Sequence, residues 1–269
     1  MKLTYLGPEG THTEKAAQIF ARILGVETEP SNSIYSVFEA VESGNYGVVP
    51  SENSIEGSVT LTLDLLLRFR VKILGEVSLP IEHCLIGYSL DRVGTVLSHP
   101  QALAQCRGYI MKHGWEALPT TSTSEAVRRV AEARDAGLAA IGPREAAKLY
   151  GLSVLDENIQ DHPNNKTRFI LIGPEKVPLP AELGEPAKSS LFMELENVPG
   201  SLYRALGVFA ERNVNLSRIE SRPSLKDLGY YIFYVDYEKP EDEDALLGDL
   251  LEYSTFIKHL GSYPVLKTF

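Results

Sequence analysis

The chain has 269 residues, of which 43% are hydrophobic and 23% charged, which is the composition of an ordinary globular protein. This length is enough for one large domain or two smaller ones with a substantial core. The net charge of −10 argues against nucleic acid as a general partner, although a local positive pocket can still bind an anionic substrate.

The cysteines and the N-terminus bear on the compartment. Cys84 and Cys106 lie in neither a CxxC nor a Cys/His metal spacing, and two unclustered cysteines are typical of a reducing cytosol. Residues 1–8 lack a basic region followed by a long apolar run, so we expect no signal peptide. No stretch of about 18 apolar residues occurs, so we expect no transmembrane helix. The sequence therefore predicts a cytoplasmic protein without a metal centre.

Strands and helices alternate from the N-terminus to residue 174. The periodicity predicts strands at 3–6, 46–49, 71–79, 81–88, 93–97, 137–142 and 169–172. It predicts helices at 14–24, 36–42, 60–68, 102–113, 125–134 and 143–150, with Thr13 as the N-cap of the first. Such alternation is typical of largely parallel sheets. The two strands around Pro80 are expected to cross from one lobe to another.

Polar side chains recur where the predicted strands end. The segments concerned are 7–13, 51–58, 98–105, 121–124 and 164–168. Because ligands of α/β proteins bind at the ends of strands, we expect these segments to line one cleft between two lobes. Each segment taken alone is also consistent with a solvated turn or a helix cap.

The segment 164–168 leads from a polar turn directly into a buried strand. It places a hydroxyl, Thr167, and a permanent cation, Arg168, at the start of that strand. The arginine has two interpretations: it pairs with an anionic substrate, or it makes a structural salt bridge. Gln101 and Gln105 stand about one turn apart on a predicted helix and can face the same cleft.

A second unit follows a proline-rich segment. We interpret residues 175–188 as a semi-stiff linker between a large domain, 1–174, and a small domain, 189–269. In the small domain the pattern predicts strands at 189–195, 214–220, 230–237 and 257–265, and helices at 202–211 and 241–251. The order βαββαβ is that of a ferredoxin-like unit.

Several motifs together resemble one enzyme family. They are YLGPEGT (5–11), VVPSENSIEGSV (48–59), SHPQALAQC (98–106), LYGL (149–152), NNKTRF (164–169), ENVPGSLYRAL (196–206), NVNLSRIESRP (213–223) and YYIFYVD (230–236). In this order they span nearly the whole chain and are similar to the prephenate dehydratase family. His12 is a departure, since the family more often has an aromatic residue at this position.

The resemblance implies a fold, a reaction and a set of partners. The fold is α/β, with a two-lobed catalytic domain like the type II periplasmic binding proteins followed by a ferredoxin-like ACT regulatory domain. The implied reaction is the decarboxylating dehydration of prephenate to phenylpyruvate in phenylalanine synthesis, without metal or cofactor. The resemblance further implies feedback inhibition by L-phenylalanine and a homodimer or homotetramer formed through the ACT domains. Neither nucleic acid nor a membrane is an expected partner.

The resemblance also implies site residues. Thr167 matches the threonine of the TRF motif, whose hydroxyl is the expected hydrogen-bond donor to the departing oxygen. The implied substrate-binding residues are Thr11, Asn53, Ser54, Ser98, Gln105, Arg168 and Phe169. The implied phenylalanine-binding residues are Gly200, Ser201, Leu202, Asn215, Leu216, Glu220, Ser221 and Arg222.

Two other functions stay open at the level of sequence. One is an arogenate dehydratase, which acts on the amino analogue of prephenate. The other is a non-catalytic ligand-binding protein of the same fold, which the missing signal peptide and the joint presence of the TRF, ENS and SHP motifs disfavour. An assay with both substrates separates these possibilities.

Overall fold

The computed structural model describes residues 1–177, 179–224 and 231–267; Pro178 of the predicted linker and Tyr230 of a predicted strand lie outside these ranges. The first elements are β1 (Leu3–Leu6), α1 (His12–Leu24), β2 (Thr28–Ser31), α2 (Ile34–Glu42), β3 (Tyr46–Asn53), β4 (Gly57–Ser58), α3 (Thr60–Arg68) and β5 (Val71–Pro80). Next come β6 (Cys84–Gly87), β7 (Thr95–Ser98), α4 (Pro100–Gln105), α5 (Arg107–His113), β8 (Glu116–Pro119), α6 (Thr123–Ala133), β9 (Leu138–Gly142), α7 (Arg144–Tyr150), β10 (Ser153–Asp156) and β11 (Lys166–Pro174). The last are β12 (Lys188–Leu195), α8 (Ser201–Glu211), β13 (Leu216–Pro223), β14 (Tyr231–Glu238), α9 (Glu243–Leu251), β15 (Ser254–Tyr263) and β16 (Val265–Leu266).

Two mixed sheets form the two lobes. The first has the order β16-β5-β11-β3-β1-β2, with β4 paired to β3, and the second has the order β10-β6-β9-β7-β8. The prediction of largely parallel sheets is wrong. The chain leaves the first lobe along β5 and returns along β11, which therefore lies antiparallel to both β5 and β3. Helices connect the strands of several parallel pairs, such as β1 with β3 and β7 with β9.

The chain crosses between the lobes twice. Residues 81–83 lead from β5 to β6, and residues 157–165 lead from β10 back to β11. Separate apolar clusters lie in the two lobes, around Phe20 and Phe38 in the first and around Val127 and Ile110 in the second. The predicted two-lobed α/β fold is therefore confirmed.

Besides end shifts of one or two residues, the helices differ from the prediction at one N-cap and at one interruption. The N-cap of α1 is Thr11 rather than Thr13, because Thr11 has an extended backbone and its hydroxyl accepts from Glu14 N at 3.3 Å. The predicted helix 102–113 is instead two helices, α4 and α5, which meet at Cys106 (φ −115°, ψ 20°). The interruption lies at a buried residue, where the hydrophobic pattern that predicted one helix continues.

The C-terminal elements confirm the predicted βαββαβ order. Strands β12 to β15 form an antiparallel sheet in the order β13-β14-β12-β15, and α8 and α9 share a core with it. The predicted last strand is divided, because β15 ends at Tyr263 and β16 pairs in parallel with β5. The last strand of the described chain thus belongs to the sheet of the first lobe and not to the small domain.

The C-terminal unit packs directly on the first lobe. Phe192 and Tyr234 of the unit share one apolar core with Ile73 and Ile170 of the lobe. Gly261 lies at φ +120°, and a Cβ atom there would approach the Ile73 carbonyl oxygen to 2.8 Å. The close contact between β15 and β5 therefore requires glycine at this position.

Candidate active site

A cavity of about 820 Å³ lies between the two lobes. Each of the five polar segments identified in the sequence contributes to its wall. Examples are Thr11, Asn53, Gln105, Ser122 and Thr167, one from each segment. The cavity thus lies where the ends of β1, β3 and β7, the start of α6 and the start of β11 meet.

Five of the predicted catalytic and substrate-binding residues line this cavity. They are Thr11, Asn53, Gln105, Thr167 and Phe169. The side chains on β3 and β11 reach it together because the two strands pair in register, with Thr167 opposite Asn53. A pair of neighbouring antiparallel strands therefore brings together residues that are 114 positions apart.

Three predicted substrate-binding residues do not line the cavity. Ser54 is exposed, and its hydroxyl accepts from Lys166 N at 2.9 Å. Ser98 is fully buried, and its hydroxyl donates to the Ile141 carbonyl at 2.6 Å. Arg168 is buried, and its ion-pair partners are Glu76 at 2.7 Å from its Nε, with Asp236 and, at 3.8 Å, Glu52 at its Nη1. Its guanidinium is thus paired with carboxylates of the protein.

A chain of hydrogen bonds ends at the Thr167 hydroxyl. Asn53 Nδ2 donates to Thr167 Oγ1 at 2.9 Å and to Asn165 Oδ1 at 2.8 Å. Asn165 Nδ2 donates to Gln105 Oε1 at 3.1 Å, and His83 Nε2 lies 2.9 Å from the same oxygen. Because Thr167 accepts from Asn53, its own proton is left to donate into the cavity.

The orientation of the Asn53 amide is fixed by the loop that follows β3. Its Oδ1 accepts from Ile55 N at 3.0 Å and from Glu56 N at 3.1 Å. With the oxygen bound to two backbone donors, the nitrogen must point to Thr167. The loop therefore determines which partner of the Asn53–Thr167 hydrogen bond is the donor.

Among the described residues, no lysine or arginine lines the cavity. Positive potential comes instead from the N-termini of α1 in the first lobe and α6 in the second. Thr11 caps α1, and Ser122 caps α6 by accepting from Glu125 N at 3.0 Å. The other backbone N–H groups in these first turns can receive a carboxylate. These N-termini are the positive groups of a wall that also carries the carboxylates of Glu56 and Glu125.

Two histidines in the wall were not identified as site residues from the sequence. His12 and His83 have ring centroids 6.4 Å apart. Burial, with a smaller contribution from His83, lowers the pKa of His12 to about 4, and burial also lowers the pKa of His83. Neither ring nitrogen of His12, nor Nδ1 of His83, has a hydrogen-bond partner within the described residues. Both imidazoles are therefore neutral near pH 7.

The buried His12 should make stability depend on pH. We expect the free energy of unfolding to decrease as pH falls from 6.5 towards 4, because the unfolded chain then binds a proton that the folded protein excludes. The difference between the ordinary histidine pKa of 6.5 and the lowered value of about 4 corresponds to about 3 kcal/mol in the free energy of unfolding. Urea unfolding at pH 7 and pH 4.5 measures it, and His12→Phe should flatten the dependence. Replacement of the exposed His162 by Phe is the control; equal slopes for wild type and His12→Phe would contradict the prediction.

The predicted phenylalanine-binding residues lie at two ends of the C-terminal unit. Gly200, the N-cap of α8, follows the end of β12, and Arg222 lies at the same end because both β12 and β13 reach Ile232 there. Ser201 and Leu202 are in the first turn of α8, and Glu220 and Ser221 are on β13 near Arg222. Asn215 and Leu216 are at the opposite end, about 20 Å from Arg222 at the usual rise of a strand. One chain alone therefore does not bring the whole set together.

The described ranges contain neither a metal-binding cluster nor a membrane-spanning helix. No three histidine, cysteine, aspartate or glutamate side chains are grouped there as a metal-binding set. None of the helices in these ranges has the length and apolarity needed to cross a membrane. The expectation of a reaction without metal or cofactor stays a prediction.

The chain is similar in sequence and in fold to known proteins. The profile of the family described as prephenate dehydratase matches residues 3–177, and the ACT domain profile matches residues 189–253. The chain is 53% identical to the prephenate dehydratase of Methanocaldococcus jannaschii over 97% of both chains. The solved prephenate dehydratase of Arthrobacter aurescens in complex with L-Phe is 33% identical, with a TM-score of 0.87 over 98% of this chain and 90% of that one. A solved chain described as GqqA, a novel type of quorum-quenching acylase, is 29% identical, with a TM-score of 0.87 over 99% of this chain and 98% of that one.

Fold, cavity and comparisons together define a carbon–oxygen lyase with an appended ACT domain. The 53% identity to a prephenate dehydratase extends over both domains. The chain belongs to the prephenate dehydratase family.

Proposed function

We propose that the cavity converts prephenate to phenylpyruvate, CO₂ and water. The observation that carries the proposal is the Asn53–Thr167 hydrogen bond of 2.9 Å, which leaves the threonine proton free to point at a ligand oxygen. Prephenate needs such a donor at its ring hydroxyl, because that oxygen leaves as the ring becomes aromatic. Threonine is a weak acid, so Thr167 acts as a hydrogen-bond donor within the network rather than as an isolated proton source.

The electrostatics of the cavity suit the loss of CO₂. A lysine or arginine beside the ring carboxylate would stabilise its charge and oppose the formation of neutral CO₂. Among the described residues the cavity wall has no such cation. Weak dipolar contacts can hold the carboxylate and still let it lose its charge. The helix N-termini of α1 and α6 are the groups we assign to the carboxylates of this dianion.

We further propose that Thr11, Gln105 and Phe169 contact the substrate with Asn53. Their support is that all four line the same cavity as Thr167. Ser54 and Ser98 are proposed to hold the cavity wall in place rather than to contact the substrate. Their hydroxyls bind the Lys166 amide and the Ile141 carbonyl. Arg168 is proposed to act through its ion pairs with the C-terminal unit.

We infer that L-phenylalanine is a feedback effector bound by the C-terminal unit. A compared enzyme was solved in complex with L-Phe, and the ACT profile matches here. The split of the predicted binding set between two ends of one unit is explained if a second chain completes each site. We therefore propose a homodimer, or a homotetramer built from it, through these units.

We propose the domain division 1–174 for catalysis, 175–188 as the linker and 189–269 for regulation. Pairing of β16 with β5 then ties the end of the regulatory domain to the catalytic sheet. A cytoplasmic location is proposed because the function is biosynthetic and both cysteines are free, as is usual in a reducing compartment.

The assay that tests the proposal follows phenylpyruvate from prephenate, with arogenate in parallel and with or without millimolar phenylalanine. We expect product from prephenate and strong suppression by phenylalanine. Product without suppression would contradict the regulatory half alone. Product from arogenate only would move the substrate to the amino analogue. No product from either would favour a ligand-binding protein without catalysis.

A further inference from the structure

An arginine of the C-terminal unit reaches the hairpin that carries Asn53. Arg218 lies on β13, its side chain is only 7% exposed, and its guanidinium lies over the Tyr234 ring at 5.1 Å. Its Nη1 donates to Ser51 Oγ at 3.2 Å, and its Nη2 donates to Ser58 Oγ. One guanidinium therefore contacts both strands of the β3–β4 hairpin.

This hairpin determines the position of the Asn53 amide. Its register pairs Glu52 with Ser58 and Asn53 with Gly57. The Asn53 side-chain oxygen accepts from two backbone N–H groups of the hairpin loop, at 3.0 and 3.1 Å, so the amide moves with the loop. The amide nitrogen then donates to Thr167. A shift of the hairpin is thus passed directly to the catalytic hydroxyl.

We propose that Arg218 is a positioning residue, which bridges Ser51 and Ser58 and so holds the hairpin where Asn53 meets Thr167. This inference rests on the proposed dehydratase function. The planar guanidinium presents two N–H groups at a fixed spacing, which a bridge between two strands requires. Because the group is nearly buried, losing Ser51 leaves Nη1 without its hydrogen-bond acceptor, whereas Nη2 keeps Glu220 if Ser58 is lost. The catalytic geometry thereby depends on a strand of the C-terminal unit.

Glu220 joins the same bridge and belongs to the predicted phenylalanine-binding set. Its carboxylate lies 3.1 Å from Arg218 Nη2 and accepts from Ser58 Oγ. An ammonium group that pairs with Glu220 competes with both of these partners. The bridge therefore connects a predicted effector residue directly to the active-site hairpin.

A double-mutant cycle tests whether Arg218 acts through Asn53. Arg218→Met keeps the apolar stem of the side chain, and we expect kcat for prephenate to fall about 10-fold to 100-fold, with KM changing less than about 3-fold. In an Asn53→Ala background the same substitution should lower kcat by less than about 2-fold, because the residue through which Arg218 acts is gone. Arg218→Lys has one nitrogen and should recover only part of kcat.

Asp64→Asn is the matched control. It removes another ion pair between β13 and the first lobe, Arg222 to Asp64 at 2.8 Å, without touching the hairpin. Its kcat should stay within about 2-fold of wild type. Ser51→Ala removes one of the two hydrogen bonds from Arg218 to the hairpin, and we expect a smaller loss of kcat. It serves as the test variant if Arg218→Met does not fold. Wild-type kcat in the folded Arg218 or Ser51 variant, or equal losses with and without Asn53, would overturn the proposal.

Amide hydrogen exchange gives a second measurement that does not need turnover. The Ile55 and Glu56 amides bind Asn53 Oδ1, so they report the order of the hairpin loop. We expect these two amides to exchange faster in Arg218→Met and at the wild-type rate in Asp64→Asn. Unchanged exchange in Arg218→Met overturns the inference even if prephenate is turned over. Faster exchange in a chain that does not act on prephenate would support the bridge and reject the proposed function.

Discussion

Replacing Thr167 with alanine is expected to lower kcat for prephenate about 100-fold to 10,000-fold, the range that positioned acid–base groups contribute. The substitution removes the hydroxyl that Asn53 orients by its 2.9 Å hydrogen bond. It leaves the backbone pairing of β11 with β3 and β5 unchanged, so the melting temperature and KM should stay near the wild-type values. Steady-state kinetics and thermal unfolding of the same preparation measure these quantities.

Two further variants test whether Asn53 is the donor and Thr167 the acceptor of their hydrogen bond. Thr167→Ser keeps the hydroxyl and should retain most of the turnover. Asn53→Asp still accepts from the Ile55 and Glu56 amides, but it turns the donor to Thr167 into an acceptor. The threonine proton would then go to the aspartate rather than to the substrate, so we expect a loss similar to that of Thr167→Ala. Near-normal turnover in the alanine variant would remove Thr167 from the mechanism.

The sequence predicted which segments line the cavity better than it predicted the role of each residue. Polar residues at strand ends are a local signal, and all five segments chosen in this way contribute to the wall. The βαββαβ unit is also a local signal, since each of its elements has a clear period. Local patterns therefore predict which segments meet, provided that the fold places strand ends together.

The contacts that decide the role of each residue are long-range, and periodicity does not contain them. Arg168 was open to two interpretations because its partner Asp236 is 68 residues away. His83 gave no signal, because the predicted strand 81–88 does not distinguish it from its neighbours and its partner Gln105 is 22 residues away. Thr11 and Thr13 are equally good cap residues by type, and only the backbone conformation decides between them.

Strand β11 joins the catalytic and C-terminal parts through neighbouring residues. Thr167 lines the cavity, and Arg168 points instead to Asp236 on β14 and to Tyr263 on β15. Successive side chains of a strand point to opposite faces, so this division follows from the strand itself. The C-terminal unit therefore contacts the active site from two directions, through Arg168 on β11 and through Arg218 at the β3–β4 hairpin. A change in the packing of the unit is therefore expected to reach both partners of the Asn53–Thr167 hydrogen bond.

Asp236→Ala should cause the largest loss of stability, about 3 to 5 kcal/mol in the free energy of unfolding. Burial would raise the pKa of this carboxyl, but the charge and hydrogen bond of Arg168 outweigh it and lower the pKa, so the buried pair is ionised. Without Asp236 the buried guanidinium keeps Glu76, at 2.7 Å, and the more distant Glu52, at 3.8 Å, but loses the fully buried carboxylate beside its Nη1. Urea unfolding monitored by circular dichroism measures the difference.

The double variant Arg168→Met with Asp236→Leu shows whether this loss comes from an uncompensated charge. It replaces both charges by apolar groups, and we expect it to recover a large part of the stability that Asp236→Ala loses. Glu29→Ala is the control for an exposed pair, since Glu29 lies 3.2 Å from Lys2 at the surface, and it should cost less than about 1 kcal/mol. If Asp236→Ala is no less stable than the Glu29 control, the ion pair of Arg168 with Asp236 does not hold the C-terminal unit on β11. If it is much less stable and the double variant recovers, the link between the two parts depends on charge compensation at Arg168.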